Sequence, residues 1–406
     1  MPEHINDGMD QDAVAGRRGW KSGPGRGRAR RGRARRAAAV TAALLGAAGL
    51  AVVGASSAAL AAPGNARPAA AGLAAPGSAQ PAAASWQIVK RVPGGSFNVV
   101  IAVGKNGGWA FDNSDSSSPP TAWQRSGPRW TKVAFPGKAD ESVVAAGASS
   151  SADVWAFTGG VVPSRALHWN GRAWTVQRTF PGQVGGAVVV SRSDVWVFGE
   201  PFLPGAGLGT WHYNGHTWSR VASGHGLEGG SALSANSIWA FGGVDVAHWN
   251  GSTWSRTSVA SLLPAKQELN NPAVYEILAL AKGNVYAIGS GNLEDEGGPT
   301  VILHWNGHRW SRLAEGQFGI GWPQISSDGH GGLWLPMPGT DGQKSYLVHY
   351  SAGHLTPVAL PGGPNRISIF GVALIPGTSS VLAGGNTHAS GQPGVDDSAV
   401  LLQYVI

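Results

Sequence analysis

Cysteine is absent from this chain of 406 residues. Disulfide staples, thiol nucleophiles, zinc–thiolate centres and a lipid-modified cysteine anchor are therefore excluded, and stability has to come from a packed core. Charge is also sparse, with Asp, Glu, Lys and Arg together making up 13% of residues. Bases outnumber acids by 30 to 23, but the excess is local. Residues 1–61 hold ten of the bases (Arg17, Arg18, Lys21, Arg26, Arg28, Arg30, Arg31, Arg33, Arg35 and Arg36) and four acids (Glu3, Asp7, Asp10 and Asp12). Beyond them the balance is 20 to 19. That supplies no overall basic field, and no nucleic-acid partner is expected.

No charged residue occurs between Ala37 and Ala62, a run of Ala, Gly, Leu and Val that follows the basic stretch and contains Ala59-Leu60-Ala61. A charged segment, an apolar segment and a small-x-small site read as an export signal over 1–61, with cleavage after Ala61. The same run is long enough to span a bilayer if retained as an anchor, although its Ala and Gly content makes insertion weak. An extracellular or cell-surface location is the expectation, and membrane association only if the segment is kept. Residues 62–84 (APGNARPAAAGLAAPGSAQPAAA) contain one charge and no aromatic ring, the composition of an extended, disordered spacer.

What the chain has in quantity is tryptophan: 18, against 6 Tyr and 10 Phe. They recur with a pattern. HWNGRAW (168–174), HYNGHTW (212–218), HWNGSTW (248–254), HWNGHRW (304–310) and the degenerate HYSAGHL (349–355) each follow a segment such as DVWAFTGG (153–160), DVWVFGE (194–200), SIWAFGG (237–243), NVYAIGS (284–290) or GLWLPMP (332–338). A period of about 45 residues with strand-like alternation marks the blades of a propeller. Each unit reads as four strands, and Asn-Gly favours a tight primed turn between the third and fourth. Third-strand aromatics at Trp123, Trp169, Tyr213, Trp249, Trp305, Tyr350 and Tyr404 count seven units. The seventh lacks a fourth strand, while SWQIVKRV (85–92) is a fourth strand with no unit before it. The predicted fold is all-β: a seven-bladed propeller of four-stranded blades over 85–406, closed by pairing of 85–92 with 399–406, which removes the exposed sheet edge.

The DVWAF and HWNGxxW repeats resemble those of the kelch and galactose-oxidase-like propellers, in particular exported ones from high-GC Gram-positive bacteria. The resemblance covers 85–406. It implies the propeller fold but no particular activity. The paired glycines of a kelch repeat appear at Gly159-Gly160 and Gly242-Gly243, and the oxidases' cysteine–tyrosine copper site cannot be built here.

Most tryptophans fall within strands, where large rings fill the wedge between blades rather than stack on sugars. The recurring His168, His212, His248, His304 and His349 sit in different blades, too dispersed to share a metal ion. They are expected to serve packing or hydrogen bonding beside the turn. SSDGHGGLW (326–334) resembles the Asp-box, a structural turn. Variation concentrates in the connections between strands two and three and between blades, which emerge on one face, so that face is the expected functional one. Ligand-binding candidates there are Asp112, Asp115, Glu200, His225, Glu294, Asp295, Glu296, Trp322, Asp396 and Asp397. Clustered oxygens would suit calcium, but DNSDS (112–116) has no glutamate at the twelfth position of a calcium loop. No catalytic motif appears. A monomeric module that binds a protein or a cell-wall polysaccharide is the reading, with a glycoside hydrolase or lyase using channel carboxylates as the alternative.

Overall fold

A computed structural model describes Ala51–Val52 and residues 85–113, 118–160, 163–199, 207–223, 226–265, 272–291, 299–316, 324–337, 346–361, 366–388 and 398–405. The segments read from sequence as an export signal (1–61) and a spacer (62–84) otherwise lie outside the described residues. The chain folds as a seven-bladed β-propeller of four-stranded antiparallel blades. Blade 2 has the full pattern: Glu141–Ser150, Asp153–Gly160, Arg165–Trp169 and Trp174–Thr179. Blade 1 spans 97–133, blade 3 186–221, blade 4 229–258, blade 5 273–316 and blade 6 326–359. Blade 7 is made of Arg366–Leu374, Val381–His388 and Ser398–Val405, with Ser85–Pro93 paired antiparallel against the last of these. First strands touch from blade 1 through blade 5 and from blade 6 through blade 7 back to blade 1, lining the inner side of the ring. Ala51–Val52 pairs in parallel with Ala146–Gly147 of blade 2.

The blades are joined by one repeated contact. At five of the seven junctions the second-strand aromatic of one blade inserts between the third- and fourth-strand aromatics of the next. Trp109 packs against Trp169 and Trp174, Trp155 against Tyr213 and Trp218, and Trp196 against Trp249 and Trp254. Trp239 does the same with Trp305 and Trp310, and Trp334 with Tyr404 and Trp86. Centroids lie 5.0 to 5.9 Å apart, and the fourth-strand rings meet edge to face. The indole N–H groups of Trp86, Trp155, Trp169, Trp174, Trp218, Trp239, Trp254 and Trp310 are buried without an acceptor. These stacks therefore hold by ring packing, with positive ring edges turned toward π faces.

Blade 1 departs from the expected register. Trp123 is not the counterpart of Trp169. Arg125 pairs with Trp130 as Trp169 pairs with Trp174, so Ser126-Gly127 stands in place of Asn-Gly and Trp123 falls two residues early. Its ring instead lies 4.6 Å beneath the Lys90 ammonium of blade 7. At the junction of blades 7 and 1 the wedge is aliphatic, with Leu382 and Trp130 in a cluster with Val100, Ile375 and Leu401.

The recurring histidines have one local role. Each ring lies against the second-strand aromatic of its own blade, and its Nε2 meets a polar residue at or just before that strand's start: Asp153 at 2.6 Å, Asp194 at 2.8 Å, Ser237 at 3.1 Å, Asn284 at 2.9 Å and Asp328 at 2.8 Å. Burial alone would raise the Asp153 carboxyl, but hydrogen bonds with His168 and Ser149 outweigh it and hold it below the ordinary range. His248 and His304 have no carboxylate partner, and burial pushes both down. In the adjoining turn Asn170 Oδ1 accepts the N–H groups of Arg172 and Ala173, and Gly171 adopts φ 93° as the first central residue. Asp328 accepts N–H groups from His330 and Gly332 and a hydrogen bond from His349, so the Asp-box-like segment is a structural turn.

Truncating a wedge ring should be far more damaging than truncating an exposed strand residue. Trp155→Ala is predicted to lower unfolding free energy by about 3–5 kcal/mol. Val176→Ala, at a site 43% exposed, should change it by no more than about 0.5 kcal/mol. Urea unfolding of both variants checks this, and a small effect at Trp155 would contradict the wedge.

Candidate functional site

The face where strands two and three are joined, and where one blade leads to the next, carries most of the buried polar side chains. Of the sequence-predicted ligand residues, Asp112 is the one the structure places. It is 6% exposed at the end of the second strand of blade 1, accepts the Ser96 N–H at 3.0 Å and the Thr121 hydroxyl at 3.4 Å, and is raised by burial. Its carboxyl thus lashes the start of blade 1 together internally. Asp115, Glu200, His225, Glu294, Asp295, Glu296, Trp322, Asp396 and Asp397 lie outside the described residues, so no grouping of these candidates is established.

Two devices seal the rim between blades 1 and 2. Asn113 makes a paired contact with the backbone of Val143, donating through Nδ2 and accepting through Oδ1, both at 3.0 Å. Glu141 and Arg165 form a buried ion pair, with Arg165 Nε 2.7 Å from Oε1 and Nη2 on Oε2. Arg165 Nη2 also donates to Pro136 O, which fixes the connection between the two blades. Breaking one partner of such a pair would strand a buried charge.

Blades 4 to 6 differ. Most first strands have an irregularity near this face, and in blade 5 it falls between Val274 and Glu276. Glu276 occupies the register position of Val99, Ala145, Gly186, Gly229 and Gly371, each opposite the residue two beyond the second-strand wedge position. It is the one charged residue among these. It is 4% exposed, accepts the Ile277 N–H at 2.9 Å, and is pushed well above the carboxylate range by burial. Beside it in sequence, the Tyr275 phenol is pushed up to about 12 by burial and by the charge of Glu228, whose Oε1 accepts the Gly243 N–H. In blade 6 Gln324 is 3% exposed and donates to Val100 O at 3.2 Å, passing over Gly371, where a Cβ would lie 2.3 Å from its Oε1. That Oε1 has no hydrogen-bond partner.

Sequence reasoning missed Glu276 and Gln324 because neither lies in a variable loop. The available clue was a lone acid inside the apolar run AVYEILALA. Among the described residues no three His, Asp or Glu side chains come close enough to hold a metal ion.

No family model matches the chain, and no curated protein does. Solved structures do. YCF48 bound to a D1 peptide superposes with a TM-score of 0.52 at 13% identity, covering 79% of this chain and 97% of its own. The WD40 repeats of RRP9 give 0.53 at 12%, covering 79% and 98%. The extracellular domain of a hybrid two-component system from B. thetaiotaomicron gives 0.51 at 12%, with 76% of this chain matched to 38% of that one. At these identities the likeness is one of fold.

The Glu276 carboxyl yields a pH prediction with a definite sign. A folded-state pKa above the unfolded one gives stability that is complete below the unfolded value and is lost as pH rises through the folded value. Glu276→Gln, which cannot ionise, should therefore be more stable than wild type at about pH 8 and no different at about pH 4. Urea midpoints at the two pH values test this, and an equal or reversed difference would show that Glu276 is held ionised.

Proposed function

We propose that this protein is an exported, monomeric binding module that recognises an extended protein segment on its variable-loop face, over the inner ends of blades 4 to 6. The observation that carries the reading is the asymmetry between the two faces. One is built from short, repeated turns. On the other, the connections diverge in length and composition, and beneath them lie the buried polar side chains Glu276, in the first strand of blade 5, and Gln324, just before that of blade 6. Divergent loops on a rigid ring suit specific recognition. A rim rich in acceptors suits the N–H groups of a partner backbone or cationic side chain.

The fold neighbours are compatible with this. The YCF48 structure holds a D1 peptide, and propellers commonly serve as platforms for protein partners. The export signal and the kelch-like, high-GC Gram-positive character of the repeats support placement outside the cell. On this reading the three-part leader is removed after Ala61.

Two measurements test the proposal. Intact mass of the secreted protein should correspond to a chain beginning at Ala62, whereas a cell-retained protein of full mass would contradict export with cleavage. Selection of a displayed random-peptide library on the purified protein should enrich sequences that raise its melting temperature by mass action. Their binding should weaken at least about tenfold in Glu228→Gln or Tyr275→Phe, the loss of ~1.4 kcal/mol expected for one charged or polar contact. Failure to enrich peptides, with a thermal shift from a cell-wall glycan instead, would overturn the protein-segment reading.

A further inference from the structure

The opposite face has a charge pattern that the overall balance conceals. It is formed by the turns joining strands one to two and three to four. Its exposed charges are Lys105, Arg129, Arg172, Arg192, Lys282 and Arg309, spread over blades 1, 2, 3 and 5. All are positive. The carboxylates on this side, Asp153, Asp194 and Asp328, are buried or half-buried and engaged by His168, His212 and His349. Exposed or half-exposed acids among the described residues, Asp140, Glu228, Asp245 and Glu315, stand at strand ends on the variable-loop side. Exposed bases such as Arg91, Lys138, Arg220 and Arg312 accompany the acids on that side, whereas the turn face has exposed bases without exposed acids among the described residues.

The basic face is also flat. Its turns are pressed together in pairs: a Cβ on Gly171 would meet Ala152 at 2.9 Å, one on Gly215 would meet Ser193 at 2.6 Å, and one on Gly251 would meet Asn236 at 2.5 Å. Most connections on this side are tight turns, and the longest, 328–332 and 375–380 in blades 6 and 7, are still short. The paired strand that completes blade 7 begins here. Ser85 pairs with Val405, and Trp86 with Tyr404, in the register that Trp174 and Trp169 occupy next to their turn. The described chain of the propeller therefore enters at Ser85 on this face.

We propose that the turn face docks the propeller onto an anionic phospholipid bilayer. A broad plane of basic side chains without a groove fits a planar anionic surface better than it fits a single polymer strand. This docking is independent of what the variable-loop face binds, and would leave that face directed away from the membrane.

The test is co-sedimentation of the full chain with vesicles of phosphatidylglycerol in phosphatidylcholine, compared with phosphatidylcholine alone. The ten bases of residues 1–61 are replaced by glutamine in every sample, so that they cannot contribute. Binding should require phosphatidylglycerol and fall as salt is raised. Arg172→Gln should weaken it about fivefold, the effect of one base at an anionic surface, and replacing all six by glutamine should abolish it. Lys138→Gln, on the variable-loop side, should leave binding unchanged, and an unaltered melting temperature shows that the sixfold variant is folded. Undiminished binding by the sixfold variant would overturn the proposal. So would absence of vesicle binding alongside retention of a DNA duplex or polyphosphate, which would assign the face to a polymer.

Discussion

The interblade wedge is the contact on which the rest of the structure depends. A four-stranded blade has two apolar faces and cannot bury either alone, so each blade is stable only between neighbours. Here that requirement is met by placing a large ring on the second strand of one blade between two rings of the next. An 18-tryptophan composition, odd for a chain with so few other aromatics, follows directly. Without disulfides, this ring of packed indoles is the main cohesive element. The histidine on the third strand has a supporting part: it covers the inserted ring and ties it to the strand's polar start. Register, burial and ring orientation are set together in one unit of sequence.

This is also why the fold was legible before any coordinates. The wedge residues, the histidine and the Asn-Gly turn recur because each blade solves the same packing problem. In blade 1 Trp123 stands two residues before the position that Trp169 holds in blade 2, so it is a misleading marker. Alignment on Gly127 and Trp130 gives the observed register, since the turn glycine and the fourth-strand ring are the geometrically constrained positions. The junction of blades 7 and 1 was harder, because its wedge is aliphatic and Leu382 leaves no aromatic trace. The candidate rim is the least legible. Polarity in the variable loops drew the eye to Asp112 and its loop neighbours, yet Asp112 is an internal lash. The acceptors Glu276 and Gln324 lie inside or just before first strands, where alternation predicts only apolar packing.

The two faces of the ring divide the remaining chemistry. On the turn side, uniform geometry leaves little room for specific recognition but aligns basic side chains in a plane. On the loop side, the ring is a rigid base for divergent connections, and its inner strands supply buried acceptors at fixed positions. A net charge near zero over the folded body argues against a nucleic-acid partner, but fields act over distances of about 10 Å and are set by local grouping as well as by totals.

The account rests centrally on the seven-blade arrangement in which Ser85–Pro93 completes the last blade. The most direct measurement uses the chain's lack of native cysteine. Gln87 and Gln403 are register partners on the two paired strands. In the double variant Gln87→Cys, Gln403→Cys, mild oxidation should yield a single intramolecular disulfide, identified by peptide mapping, and should raise the melting temperature. A variant that stays reduced under those conditions, or that cross-links only between molecules, would contradict the pairing and with it the closed seven-bladed ring.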